Sequence, residues 1–393
     1  MSKFVVSTSP HITAKNTTRG IMLDVIIALL PVVIATVVIF GVYPLFLILL
    51  SVGSCVFFEW LYTFIRKSAQ IKKDIKALQK GEKGRAIKVF NILGEGTTIH
   101  DLSAVVTGII LGLNLPGTVP IWVPIVGSAF AILVVKMLFG GIGKNFANPA
   151  MTARVFLVLA WTSLMTQKTN VVFGTDIGYF SYFTNAVSIH PGVDAVTSAT
   201  PLVTVKATLE SGASPLAGVN ALNMFTGLIP SSAVGETCTI AILIGAIYLL
   251  VRKVIDWRIP LFYVASVVLF TALVYCKSKY VGEYILTYLL GGGLMFGAVF
   301  MATDYATSPK NWIGVIIYGL GLGLLTVIFR RFSNMPEGVS YAIVLMNIVT
   351  PLLEKIKRRP FGVPKRNYVK EISDKFKARS KKKAAVEEGG ENV

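Results

Sequence analysis

The 393-residue chain is 54% hydrophobic and only 15% charged, against roughly 25% charged for an ordinary soluble domain, so its bulk is built for a bilayer. That balance excludes a disordered protein and a disulfide scaffold. The net charge of +18 would suit a DNA-binding domain, but a membrane protein carries such charge in its loops and tails.

Apolar runs too long for core strands recur along the chain, and they predict ten helices. After a cytoplasmic N-terminus (1–20), the first half holds runs at 21–40, 44–65, 102–115, 120–139 and 150–165, and the second at 237–251, 261–275, 284–301, 312–329 and 339–353. The third, fifth, sixth, seventh and tenth are short for a straight span, which points to re-entrant or broken helices there. Asp24 interrupts the first run and no small-residue cleavage site follows, so the start reads as a retained anchor rather than a signal peptide.

The resulting fold class is an all-α integral membrane protein with about ten transmembrane helices in two inverted five-helix repeats, 21–165 and 237–354. An odd number of spans per half makes the second copy enter from the opposite side. Between them lies an extracytoplasmic segment, 166–236, and a basic cytoplasmic tail, 355–393, follows. With both termini cytoplasmic, 30 of the 38 Lys and Arg fall inside and six outside, with Lys136 and Arg154 near the cytoplasmic ends of spans. The excess of basic residues inside sets this orientation. The tail is read as lying near anionic lipid headgroups, with a neighbouring protein of the same assembly as the alternative contact.

Glycines collect in the hydrophobic part, among them Gly108, Gly112, Gly140, Gly141, Gly143, Gly291, Gly292, Gly293, Gly297, Gly319, Gly321 and Gly323. Close helix packing explains them, and clearance for a planar cofactor is the alternative. Cys55, Cys238 and Cys276 stand apart with no CxxC, and His11, His100 and His190 have no i, i+4 partner, so no metal ligand or catalytic residue is assigned. Ionisable residues in or beside spans are Asp24, Glu59, Lys136, Arg154, Glu236 and Asp304. Glu59, Lys136 and Arg154 are expected to snorkel or bond backbone near helix ends. Asp304, with Thr303 and Thr307, would either cap a broken helix or contact an ion or cofactor.

The most informative segment is Asp194-Ala195-Val196-Thr197-Ser198-Ala199-Thr200-Pro201. Read alone, it is a polar loop or a helix cap. It resembles the flavinylation pattern Asp-x-x-Ser/Thr-Gly-Ala/Ser-Thr, whose last threonine carries FMN through a phosphoester. Small neighbours leave room for the transferase; Asp194 would orient the loop or its metal, and Thr197 and Ser198 would hydrogen-bond the phosphate beside Ala199. Ser198 departs from the pattern, which most often has Gly there and thus more backbone freedom.

Ser9-Pro10-His11, Asn145-Phe-Ala-Asn-Pro149, Asn223-Met-Phe-Thr-Gly227, Gly235-Glu-Thr237 and Phe300-Met-Ala-Thr-Asp304 complete a resemblance to the RnfD family, the D subunits of Rnf complexes, over nearly the whole chain. The resemblance implies an ion-translocating ferredoxin:NAD+ oxidoreductase component of a prokaryotic cytoplasmic membrane, not catalytic alone. It also implies covalent FMN on Thr200, a second, non-covalent flavin such as riboflavin, and Na+ or H+ transport. Implied partners are the other Rnf subunits (A, B, C, E and G), a flavin transferase during maturation, and membrane lipids, with no nucleic acid. The B subunit of the sodium-pumping NADH:quinone reductase is the near alternative, and a non-redox transporter or channel the alternative of another class.

Overall fold

In the computed structural model, which describes residues 17–79, 98–173, 214–216, 220–333 and 338–356, each predicted apolar run is helical. The first helix, α1 (Thr18–Phe40), starts where Thr17 Oγ1 accepts from Gly20 N at 3.2 Å. It stops at Gly41, whose φ of +88° suits glycine. Helix α2 (Val42–Gln79) has 38 residues and runs 14 residues past its predicted end at 65. Lys, Arg, Gln and Ala beyond that point are good helix formers, so leaving the apolar phase does not end the helix. At 1.5 Å per residue α2 is about 57 Å long, well beyond the roughly 30 Å hydrocarbon core.

The first half continues with α3 (Ser103–Leu113) and α4 (Trp122–Ala129), which winds on as a π-helix over Phe130–Met137. Helix α5 (Pro149–Ala160) is capped by Asn148, whose Oδ1 accepts from Ala150 N at 3.1 Å. The predicted fifth helix therefore breaks at Trp161 before a short turn, Thr162–Met165. The second half holds α6 (Thr239–Val251), α7 (Arg258–Val274), α8 (Val281–Leu290), α9 (Trp312–Phe332) and α10 (Val339–Glu354). Helix α8 resumes as Leu294–Phe296 and a second π-helix, Gly297–Met301. Its two parts are bent by 58°.

That bend corrects the sequence expectation of one continuous helix over 284–301. Three consecutive glycines, with Gly292 at φ +66°, lower the helix propensity where the chain turns. Thr18–Phe40, Val42–Ala69 and Trp312–Phe332 are each long and apolar enough to cross a bilayer, and the bent pair would make a fourth; the other apolar helices are shorter. Large apolar side chains face outward along them, including Ile34, Leu138, Val251 and Phe332, as a lipid-facing surface requires.

In each half the second helix packs on the fourth, α2 on α4 and α7 on α9; across the halves α1 packs on α6 and α5 on α10. Glycine permits the closest crossings. A Cβ on Gly108 would stand 2.5 Å from Val52 Cα, and one on Gly112 would stand 2.7 Å from Ile48 Cα. Both lie on the face α3 turns to α2, in the small-xxx-small spacing of membrane helix pairs. Gly319 and Gly323 play the same part where α9 meets Phe262 and Ser266 of α7. Gly140, Gly141 and Gly143 instead take positive φ in the turn after α4.

Candidate functional site

A cavity of about 530 Å3 opens between the two halves, walled by Met22 and Val25 of α1, Ser103 and Thr107 of α3, Lys136, Asn148, Leu249 and Phe300. Both π-helices border it, the first with Lys136 and the second with Val299 and Phe300. A π turn shifts the register of a helix and re-aims its side chains, and such turns collect at functional sites. Here Leu138 N donates to Leu133 O at 3.1 Å and Ala302 N to Gly297 O at 2.8 Å, each five residues back.

Lys136 does not snorkel. Its Nζ donates to Glu59 Oε2 at 2.6 Å and to Ser103 Oγ at 2.8 Å, and Glu59 and Lys136 are 0% and 2% exposed. The sequence expectation fails because the two side chains, 77 residues apart, meet at the α2–α4 crossing, where a charge pair needs no route to water. Glu59 Oε1 has no hydrogen-bond partner among the described residues, an arrangement that costs free energy in a buried site.

Arg154 is likewise buried, and its Nη1 donates to Glu236 Oε1 and, at 2.6 Å, to Asn114 Oδ1. Helix α5 is short and starts within the bundle, so the guanidinium reaches the far end of α3 instead of a nearby surface. Glu236 ends a strap over residues 231–236 that is pinned throughout: Thr169 N donates to Ser231 O at 2.8 Å, Val234 N to Leu115 O at 3.3 Å and Gly235 N to Leu113 O at 2.8 Å. Its carboxylate lies against Gly293, where any Cβ would run into it. One carboxylate thus touches the end of the segment that joins the two halves, α5 and the break in α8.

Asp24 accepts from Tyr248 Oη at 3.0 Å and from Arg252 Nε at 3.3 Å, tying α1 to α6. Asp304 organises the turn after the second π-helix: Ser308 N donates to its backbone O at 3.0 Å and Thr307 Oγ1 to Oδ2 at 3.0 Å. Burial pushes the Asp304 carboxyl above the usual carboxylate range, against hydrogen bonds from the Thr307 hydroxyl and the backbone N–H groups of Ala306 and Tyr305. It also borders the cavity, so the capping and the ligand-facing expectations meet in one residue.

Polar residues that the sequence reading passed over complete the interior. Asn148 Nδ2 donates to Met301 O at 3.3 Å. Asn347 lies 2.8 Å from Tyr318 Oη and, with its amide turned to satisfy both ends, accepts from Asn148 N at 3.2 Å. The available signals were Asn347 inside the apolar run 339–353, since such a group must find a partner in lipid, and Asn148 just before Pro149, a helix-cap position. Asp194, Thr197, Ser198, Ala199 and Thr200 lie outside the described residues.

Helices with an apolar exterior, a buried charge network and a cavity between halves define a multi-pass membrane protein with a polar interior. The chain belongs to the NQR2, RnfD, RnfE family, whose model matches residues 5–82 and 88–362. It is 40% identical over 362 residues to the D subunit of the Na+-translocating ferredoxin:NAD+ oxidoreductase complex of Acetobacterium woodii, covering 92% of this chain and 96% of that one. It is 33% identical over 359 residues to the D subunit of the proton-translocating ferredoxin:NAD+ oxidoreductase complex of Clostridium ljungdahlii, covering 90% and 94%. A third relative, the D subunit of the ion-translocating oxidoreductase complex of Aeromonas salmonicida, is 30% identical over 376 residues, covering 90% and 97%.

Proposed function

We propose that this chain is the membrane-embedded D subunit of an ion-translocating ferredoxin:NAD+ oxidoreductase and carries electrons through FMN esterified to Thr200. The observation that carries the reading is the end-to-end relationship to complex components of that name combined with the Asp194–Thr200 run. The other subunits of the complex are its partners, and ferredoxin and NAD+ chemistry belongs to them. The chain is one part of a redox-driven translocase in a bacterial membrane.

Its arrangement is ten spans in two inverted five-helix repeats, with both termini cytoplasmic and the flavin segment outside. The matched contacts support this: first helix on first and fifth on fifth across the halves, second on fourth within each, as a two-fold axis in the membrane plane would produce. The six shorter helices cross as tilted or partial spans, and Asn114 and Asn148 satisfy backbone groups at the ends of two of them. Arg330 donates to Gly291 O at 3.0 Å, supplying a partner to a carbonyl at the α8 break.

A second, non-covalent flavin such as riboflavin fits the cavity between the halves. Its volume of about 530 Å3 is within the roughly 300–1,000 Å3 of small-molecule sites. Walls that mix apolar side chains with polar ones such as Ser103, Lys136, Asn148 and Asp304 suit a planar ring edged by hydrogen-bonding groups. Flavins supply one- and two-electron redox chemistry, and the chain's task is to bind them apart from water and make ion access depend on their charge. Moving one charge against 100 mV costs about 2.3 kcal/mol, so the coupled step must bias an ion site by at least that much.

The test is direct. Co-expressed with its flavin transferase, the chain is expected to fluoresce as a flavin band in a denaturing gel, and Thr200→Ala to remove that band. The tryptic peptide spanning Thr200 should gain the mass of FMN less water. A band that survives Thr200→Ala, or a different added mass, would overturn the linkage.

A further inference from the structure

We propose that Glu59 and Ser103 form a monovalent metal-cation site whose resident occupant is the ammonium of Lys136. The cavity between the halves is the space into which that ammonium withdraws. Two observations and one charge argument bear on this pair.

The first is the unfilled carboxylate. Glu59 is fully buried, and Lys136 Nζ engages Oε2 at 2.6 Å while Oε1 has no hydrogen-bond partner among the described residues. A static structural pair is stable in proportion to how completely its lone pairs are met. A bare cation such as Na+ can lie between both carboxylate oxygens and the Ser103 hydroxyl, all hard oxygen donors. The ammonium, at the end of its own stem, meets one carboxylate oxygen only.

The second is room to move. Lys136 and Ser103 border the cavity, whereas Glu59 does not. The lysine stem has four rotatable carbons, so its head can leave Glu59 for the cavity while the carboxylate stays in place. Arg154 has no such outlet, since neither it nor Glu236 borders that space. The third is charge. Exchanging one +1 ion for another keeps the Glu59 site neutral, and the surplus positive charge moves with Lys136 into the cavity. A cavity ligand that gains negative charge on reduction would favour that exchange. Only this last clause rests on the flavin reading; the cation site itself does not.

The experiment uses the complete detergent-purified complex with Lys136→Met, which keeps the length and apolar stem but removes the internal cation. Thermal unfolding is followed in NaCl against choline chloride at equal ionic strength and fixed pH. The variant is expected to melt about 2–4 °C higher in sodium, as a ligand bound only to the folded state requires. The parent complex, with this site filled by lysine, gives the baseline shift from any other sodium site, and the variant's shift is read as the excess over that baseline. Adding Glu59→Gln should abolish the shift in the variant. Lys136→Gln serves as a second neutral variant.

An assembled Lys136→Met complex indifferent to sodium would overturn the proposal, as would a sodium shift that survives Glu59→Gln. Stabilisation by lowered pH alone would mean that the carboxylate takes a proton, and it too overturns the metal-cation site. If neither neutral variant assembles in sodium-containing medium, sodium does not replace the ammonium and the proposal falls. None of these measurements depends on flavin content, so the flavin assignment stands or falls separately.

Discussion

Arg154→Ala is expected to destabilise the folded chain by about 3–5 kcal/mol, the cost of removing one partner from a buried ion pair. The size follows from what is left behind. Glu236 is 3% exposed and would lose the guanidinium that compensates it, while Asn114 Oδ1 loses a donor at 2.6 Å. Those groups anchor the strap to the break in α8, so the loss falls on the junction of the two halves. Replacing both partners by leucine should cost much less than Arg154→Ala, because no buried charge is then stranded. Thermal or denaturant unfolding of the purified complex measures both. A single-variant loss below about 1 kcal/mol, typical of exposed pairs, would show that water reaches Glu236 and that the strap is not held by this pair.

The second large effect lies at the crossing of α2 and α3. Gly108→Ala is expected to cost about 1–3 kcal/mol even though alanine is the better helix former by about 1 kcal/mol. The added Cβ would meet the α2 backbone at Val52 Cα, 2.5 Å away, and Ser51 O, 3.1 Å away. Backbone cannot rotate aside as a side-chain tip can, so the helices must part. Gly53 supplies the control. On the same helix α2, a Cβ at Gly53 would meet nothing within 4 Å, so Gly53→Ala should be neutral or stabilising by up to about 1 kcal/mol. Opposite signs for two Gly→Ala changes, read from the same unfolding curves, would separate crossing from propensity. Equal signs would remove the close-packing account of Gly108.

Much of the scaffold was legible before folding. The ten apolar runs are all helical because a segment without water must satisfy its own backbone hydrogen bonds. Boundaries failed where the local signal was propensity rather than hydropathy. α2 runs on through Lys and Gln residues that favour helix, and α8 breaks at Gly291–Gly293, where the sequence showed glycines but not the 58° bend. The Asp194–Thr200 run lies outside the described residues, and its flavin reading rests on the family resemblance, since residue types alone give only a polar loop or a helix cap.

The charged interior was not legible in the same way. The sequence names Glu59, Lys136, Arg154 and Glu236 as costly in lipid, and the rule that long side chains snorkel assigned three of them to helix ends. Which charges neutralise each other depends on contacts between residues 77 and 82 apart in sequence, and distances that long are set by helix crossings. Composition and hydropathy decided by themselves that this is a helical membrane protein, since transfer from water to lipid acts residue by residue. Tertiary structure alone decided the pairing of charges, the cavity between the halves and the closeness of α2 to α3, because Coulomb and packing forces act only between groups that the fold has already brought together.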